Sequence, residues 1–185
     1  MMTEISLNVL DIANNSISAN ASLIDIKVQI HRELDTLTII IADNGCGMTE
    51  EQLKKVEDPF FTTRTTRGVG LGIPFFKMAA LSTGGSFHIS STPGVGTTVA
   101  AVFKLSHIDR MPLGDMNSTM HTLITLNAHI DFLYTYVFDE KQFILDTREF
   151  REILNDVPFH TPEVSAYIKA YLEENQLETD GGYHV

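Results

Sequence analysis

Three stretches of the chain hold residue types able to bind a metal, a nucleobase or phosphate. In "DIANNSISAN", positions 11–20, Asp11 and Asn15 stand four apart and so share one face of a helix. A carboxylate and an amide oxygen are hard ligands suited to Mg²⁺, which keeps waters and substrate phosphates in its shell. A solvated polar face, with Asn14, Ser16 and Ser18, fits the same residues. In "DNGCGM", positions 43–48, Asp43 ends the apolar run "TIIIA". Asn-Gly is a hairpin-turn signal, yet a hairpin needs a strand next, and "TEEQLKKV" has a helical pattern instead. An aspartate at a strand end can accept a hydrogen bond from an exocyclic amine, and the neighbouring glycines let a flat base lie against the backbone. In "TTRTTRGVGLGI", glycines 68, 70 and 72 miss the third position of G-x-G-x-x-G, and there is no Walker lysine pattern. Small residues before a helix let backbone N–H groups and the helix dipole reach an anion. An ordinary loop fits that stretch equally.

Elements must hold these residues. From Thr3 to about Ser18, Ile5, Val9, Ile12 and Ala13 recur at helical spacing. "SLIDIKVQI" alternates Ile24, Ile26, Val28 and Ile30 with polar residues, as a half-buried strand does, and "TLTIIIAD" is a more apolar, β-branched strand. Thr49, Glu50 and Glu51 suit a helix start, although no glutamate stands three residues after Thr49. "LGIPFFKMAALS" reads as a helix tolerating Pro74 in its first turn. "GGSFHISS" and "GTTVAAVFKL" read as strands joined at "TPGVG". This order predicts an α+β fold: a two-layer α/β sandwich on a mixed, largely antiparallel sheet.

The pattern changes after Leu105, so we divide the chain into residues 1–105 and an acidic α+β extension, 106–185. "GDMNSTMHTLITLN" suits a helix capped by Asp115 or Ser118. "DFLYTYVFDEKQFILDT" suits a hairpin turning at Asp139-Glu140-Lys141. "TREFREIL" and "TPEVSAYIKAYLEEN" read as helices, the second started by Thr161 and Pro162, and "ETDGGYHV" as a frayed end.

Composition sets bounds. With 185 residues, 43% of them hydrophobic, the chain can bury a core. We expect no membrane span and no leader, because no apolar run is long enough and no basic-then-apolar segment opens the chain. The single cysteine, Cys46, allows no internal disulfide and fits a reducing, cytoplasmic location; its small side chain is expected to fill space. A net charge of −11 opposes a nucleic-acid surface. Residues 1–105 carry 8 basic and 10 acidic side chains, and residues 106–185 carry 5 and 14. A solvated acidic face, or docking to a basic partner, suits the second part.

Together the motifs resemble the GHKL superfamily, the ATP-binding fold shared by DNA gyrase B subunits, MutL mismatch-repair proteins, heat-shock chaperones and histidine kinases. The resemblance covers roughly residues 3–105 and is strongest to the catalytic domain of histidine kinases. "DIANNSISANASLIDI" resembles the N box, with Asp11 at the acidic base of many members and Asn15 at the Mg²⁺-binding asparagine. "DNGCGM" resembles the first glycine box, which places Asp43 at the adenine-reading aspartate, with Gly45, Gly47 and Met48 around it. "DPFFTTR" resembles the phenylalanine box, with Phe61 and with Arg64 where lysine is common. "RGVGLGI" resembles the second glycine box, with Arg67, Gly68, Gly70, Leu71 and Gly72, and "TPGVGTTV" the third, with Thr97 supporting the adenine site. The resemblance implies a lid over ATP·Mg²⁺ and γ-phosphoryl transfer to a separate protein in bacterial signalling, or weak ATP hydrolysis. It also allows a homodimer, and implies neither a nucleic-acid nor a membrane partner.

Departures leave alternatives open. The chain starts directly at the N box, without the helical hairpin that carries the phospho-accepting histidine in histidine kinases. "HRELDT", from His31, lies at a strand's exit and lacks the proline that follows an acceptor histidine. Ser18 stands where MutL-like members have an acid. An acid at position 11 acts as general base only for a hydroxyl or water acceptor, which favours a Ser/Thr kinase of the anti-sigma-factor type or hydrolysis. A nucleotide sensor that scarcely turns over is the remaining alternative.

Overall fold

A computed structural model describes residues 3–56, 72–155 and 157–185. The elements run in the order α1 (Ile5–Ser18), β1 (Leu23–His31), β2 (Thr36–Asp43), α2 (Glu50–Val56), α3 (Gly72–Ser82), β3 (Ser86–Thr92), β4 (Gly96–Lys104), α4 (Met116–Leu126), β5 (Asp131–Phe138), β6 (Lys141–Asp146), α5 (Thr147–Leu154) and α6 (Pro162–Asp180). The expected α+β sandwich is what forms. One six-stranded sheet has the order β3-β4-β2-β1-β5-β6. Neighbours are antiparallel except β1 and β5, which run parallel with Ile24 beside Phe132.

Alternation explains the layers. Ile24, Ile26, Val28 and Ile30 of β1, Leu37, Ile39 and Ile41 of β2, and Phe132, Tyr134 and Tyr136 of β5 are all buried on one face. The residues between them stay half-exposed, so the helices cover a single side. Ile5, Val9 and Ile12 of α1 and Phe76 and Ala80 of α3 complete the core above β1, β2 and β4.

The strands from the acidic part extend the same sheet, and their linker also finishes α1. Glu4 offers no side-chain cap; instead Pro112 and Leu113 carbonyls accept from Ile5 N (3.0 Å) and Ser6 N (2.8 Å). Helix α2 has a capping box after all: Thr49 N donates to Gln52 Oε1 (2.8 Å) and Gln52 N to Thr49 Oγ1 (3.3 Å), glutamine replacing the absent glutamate. Asp115 caps α4 through Ser118 N at 2.8 Å, and the β5–β6 hairpin turns at Asp139 as expected.

The C-terminus corrects its expectation of fraying. Helix α6 runs to Asp180, whose carboxylate is buried and accepts from Tyr136 Oη at 2.8 Å. Beyond it, the Tyr183 ring packs on Phe138 with centroids 5.2 Å apart, and Leu113 N donates to Val185 O at 2.9 Å. Tertiary partners hold polar residues that no local pattern marks as held.

Candidate functional site

Asp43 ends β2 beside Thr97 of β4, and its carboxylate is aimed from two sides. Ser16 Oγ donates to Oδ2 at 2.6 Å, and Gly45 N donates to Oδ1 at 2.9 Å. Each oxygen therefore has one protein donor and a remaining lone pair. The carboxylate opens into a cavity of about 460 Å³ with Ile12, Ile41, Met48, Val56, Ile73 and Val99 in its walls. A largely apolar slot with a carboxylate at its base suits a flat heterocycle that presents an amine.

The loop after β2 is fixed by backbone rather than by side-chain bulk. Gly47 has φ +65°, and a Cβ there would collide with the Thr92 carbonyl, so only glycine brings this loop against the β3–β4 turn. Gly94 N donates to Cys46 O (2.8 Å), Cys46 N to Ala19 O (2.9 Å) and Met48 N to Ser91 Oγ (2.8 Å). Ser91 Oγ in turn lies 2.8 Å from Thr97 Oγ1, so Thr97 is tied to the loop that carries Met48. Asn44 is a brace: its Oδ1 accepts from Ser22 N and Leu23 N, each at 2.9 Å.

Asp11 and Asn15 share a face of α1, as their spacing predicts, but their surroundings differ. Asn15 lines the cavity. The Asp11 carboxylate lies against the start of α3, where a Cβ on Gly72 would strike it. Burial pushes its carboxyl above the ordinary range, because desolvation disfavours the charged form.

The structure thus brings Asn15, Asp43, Gly47, Met48 and Thr97 around one cavity, with Gly45 holding Asp43 and Gly72 touching Asp11. Phe61, Arg64, Arg67, Gly68, Gly70 and Leu71 lie outside the described residues. Two readings change. Ser16 is not on a solvated face; it is 3% exposed and grips Asp43. Its signal was available, since 16 continues the buried stripe of positions 5, 9 and 12. Cys46 is exposed at the cavity instead of filling interior space. Gln52, Lys55 and Val56 of α2 also line the cavity, a placement that required the packing of α2 over it.

The model of the family "Histidine kinase-, DNA gyrase B-, and HSP90-like ATPase" matches residues 1–107. The signal transduction histidine-protein kinase AtoS of Escherichia coli is 33% identical over 107 residues, which cover 57% of this chain and 17% of that protein. The sensor protein kinase FleS of Pseudomonas aeruginosa is 36% identical over 97 residues, covering 52% and 24% respectively. This chain therefore spans less than a quarter of the length of either kinase. A crystal structure of the N-terminal domain of a DNA repair protein shares the fold, with a TM-score of 0.55 and 17% identity, over 78% of this chain and 53% of that one. The chain belongs to the histidine kinase-, DNA gyrase B- and HSP90-like ATPase family, and its first 107 residues form an ATP-binding, kinase-like domain. Among the described residues no helix is long and apolar enough to cross a membrane.

Proposed function

We propose that the chain binds ATP with Mg²⁺ in the Asp43 cavity and transfers the γ-phosphoryl group to a side chain of a separate signalling protein. The observation that carries this is the Asp43 carboxylate, oriented by Ser16 and Gly45 at the base of an apolar slot. Its free lone pair accepts from the adenine amine, whereas guanine presents an oxygen there and leaves both acceptors unpaired. Asn15, on the cavity wall with a side-chain oxygen, is the residue suited to hold Mg²⁺. When bound, the ion would neutralise charge on the phosphates. The apolar walls exclude water from the base, and Gly72 keeps Asp11 at the start of α3.

A second reading rests on Asp11. A carboxyl pushed upward by burial is better placed to take a proton from a hydroxyl or water than an ordinary aspartate, which favours a Ser/Thr acceptor or slow hydrolysis. Incubation with γ-labelled ATP and candidate partners, followed by acid treatment, separates the readings: label on histidine is acid-labile and label on serine persists. With a hydroxyl acceptor, Asp11→Asn should lower turnover about 10²–10⁴-fold while sparing ATP affinity. With a histidine acceptor, the variant should keep much of its transfer rate. Asn15→Leu should bind nucleotide equally with and without Mg²⁺; a full Mg²⁺ enhancement in that variant would place the metal ligand elsewhere. Tight ATP binding by the parent with no turnover, alone or with partners, would sink transfer and leave a nucleotide sensor.

A further inference from the structure

A second cavity, of about 250 Å³, lies at the opposite end of the strands. Three segments meet there: Arg32 and Asp35 from the β1–β2 turn, Leu105, Ser106 and Arg110 after β4, and Tyr183 and His184 from the tail. Strand β2 starts beside this cavity and ends at Asp43, so seven steps of strand put roughly 23 Å between the two sites.

The donors and acceptors in this cavity do not balance. Asp35 is engaged: its oxygens accept from Ser106 N at 2.8 Å and Ser106 Oγ at 2.7 Å, with Lys104 Nζ at 3.9 Å. Asp139, at the rim, accepts from Arg32 N at 2.8 Å and Arg32 Nε at 2.6 Å. The donors are in surplus. Arg110 uses Nε on Leu105 O (2.8 Å) and Nη1 on Met111 O (2.9 Å), and no carboxylate pairs with it among the described residues. Its Nη2 therefore has no protein acceptor there. Arg32 is held over the Phe138 and Tyr183 rings, at 4.9 and 5.7 Å from their centroids, with both terminal nitrogens unengaged by any described residue. The Tyr183 hydroxyl and the His184 ring likewise make no hydrogen bond to a described residue.

Two fixed guanidiniums and a hydroxyl facing one small cavity call for a ligand rich in acceptors. Guanidinium remains protonated at any ordinary pH, and its planar fork matches two oxygens of one group. Partial burial already pulls the Arg110 guanidinium down from its ordinary range, a cost that a bound anion would relieve. The volume admits a phosphate or a small dicarboxylate and is little more than half that of the Asp43 cavity. Asp139 answers the Arg32 charge, so the surplus rests on Arg110, which meets only backbone carbonyls among the described residues, and on the terminal N–H donors that Arg32 keeps beside its ion pair.

We propose that the cavity between Arg32, Arg110 and Tyr183 is a binding site for a small oxyanion, separate from the nucleotide cavity. The probes are inorganic phosphate and malonate, titrated into the full chain without nucleotide at constant ionic strength. The ring resonances of His184 and Tyr183 report binding by NMR. Saturable shifts at these rings with either anion support the site; phosphate alone identifies a phosphoryl group and malonate alone a carboxylate. Arg110→Gln and Arg32→Gln should each weaken binding by about tenfold, as expected for loss of one charge-assisted contact. Phosphate also stabilises proteins generally by exclusion, so the comparison rests on the ring shifts rather than on Tm. Should Arg110→Gln fail to fold, Arg32→Gln carries the test, because that side chain is 54% exposed. No saturable shift with either anion, or unchanged affinity in the folded arginine variants, would overturn the proposal.

Discussion

In the half of the sheet formed by β5 and β6, carboxylates sit beside arginines. Asp131 lies 3.1 Å from Arg151, Asp139 lies 2.6 Å from Arg32, and Asp146 lies 2.6 Å from Arg148. At the other end of the sheet, Asp43 meets a serine hydroxyl and a glycine amide, and Asp11 packs against a glycine with no ion pair among the described residues. The electrostatic consequences are opposite. Arginine holds the Asp139 and Asp146 carboxyls below the ordinary range, while burial pushes that of Asp11 above it. Acids whose charge is already answered brace turns and caps. Asp43, which keeps a lone pair on each oxygen at the cavity, remains available to a ligand. Composition alone, which makes the C-terminal part the more acidic, points the other way.

The largest expected effect tests whether the halves are one unit. Phe132, fully buried on β5 beside Ile24 of β1, should cost about 3–5 kcal/mol when changed to alanine. Because β1 lies between β2 and β5, the variant should melt in one transition and lose nucleotide binding in the same step. Two transitions, with binding surviving the first, would make the halves independent.

Asp43→Asn sharpens the contrast at the other end. An amide cannot keep both oxygens as acceptors, so ATP affinity should fall about ten- to a hundredfold with an unchanged circular dichroism spectrum. Equal calorimetric affinity in parent and variant would remove Asp43 from the site.

Asp146→Ala removes the α5 cap on Arg148 N (2.9 Å) together with the carboxylate's ion pair to the Arg148 guanidinium, at a cost of about 1 kcal/mol at neutral pH. The Asp146 carboxyl is held below its ordinary value of 3.8, so its stabilisation is complete above that value and lost as pH falls through the lower folded one. Urea midpoints of parent and variant should therefore converge in strong acid. A gap that persists there would mean packing, not charge, sets the cost.

Asp11→Asn should show the reverse sign and the smallest change. With its pKa raised in the folded state, the native protein binds the proton more tightly than the unfolded chain does. The charged carboxylate thus costs stability as pH rises above 3.8, and the variant should gain stability at neutral pH and nothing in strong acid. A loss at neutral pH would reveal a favourable partner for the carboxylate and erase the comparison.

Much of this was legible in the residues. Alternation in "SLIDIKVQI" fixes which face of β1 is buried, because successive side chains point to opposite sides of a strand. Asp43 is marked by its place between an apolar strand and a glycine-lined bend that no hairpin follows, and the spacing of Asp11 and Asn15 by the helical period. These are local signals, carried by a few neighbouring residues. The hold of Ser16 on Asp43 joins positions 27 apart, the Tyr136–Asp180 contact joins positions 44 apart, and the convergence of Arg32, Arg110 and Tyr183 draws on three separate segments. Which of two carboxylates meets an arginine and which meets a cavity depends on how the strands order themselves, as in the parallel placement of β5 beside β1. A polar side chain carries no periodic mark of its partner, so its role is settled only when burial removes water and leaves the groups within reach to answer its charge.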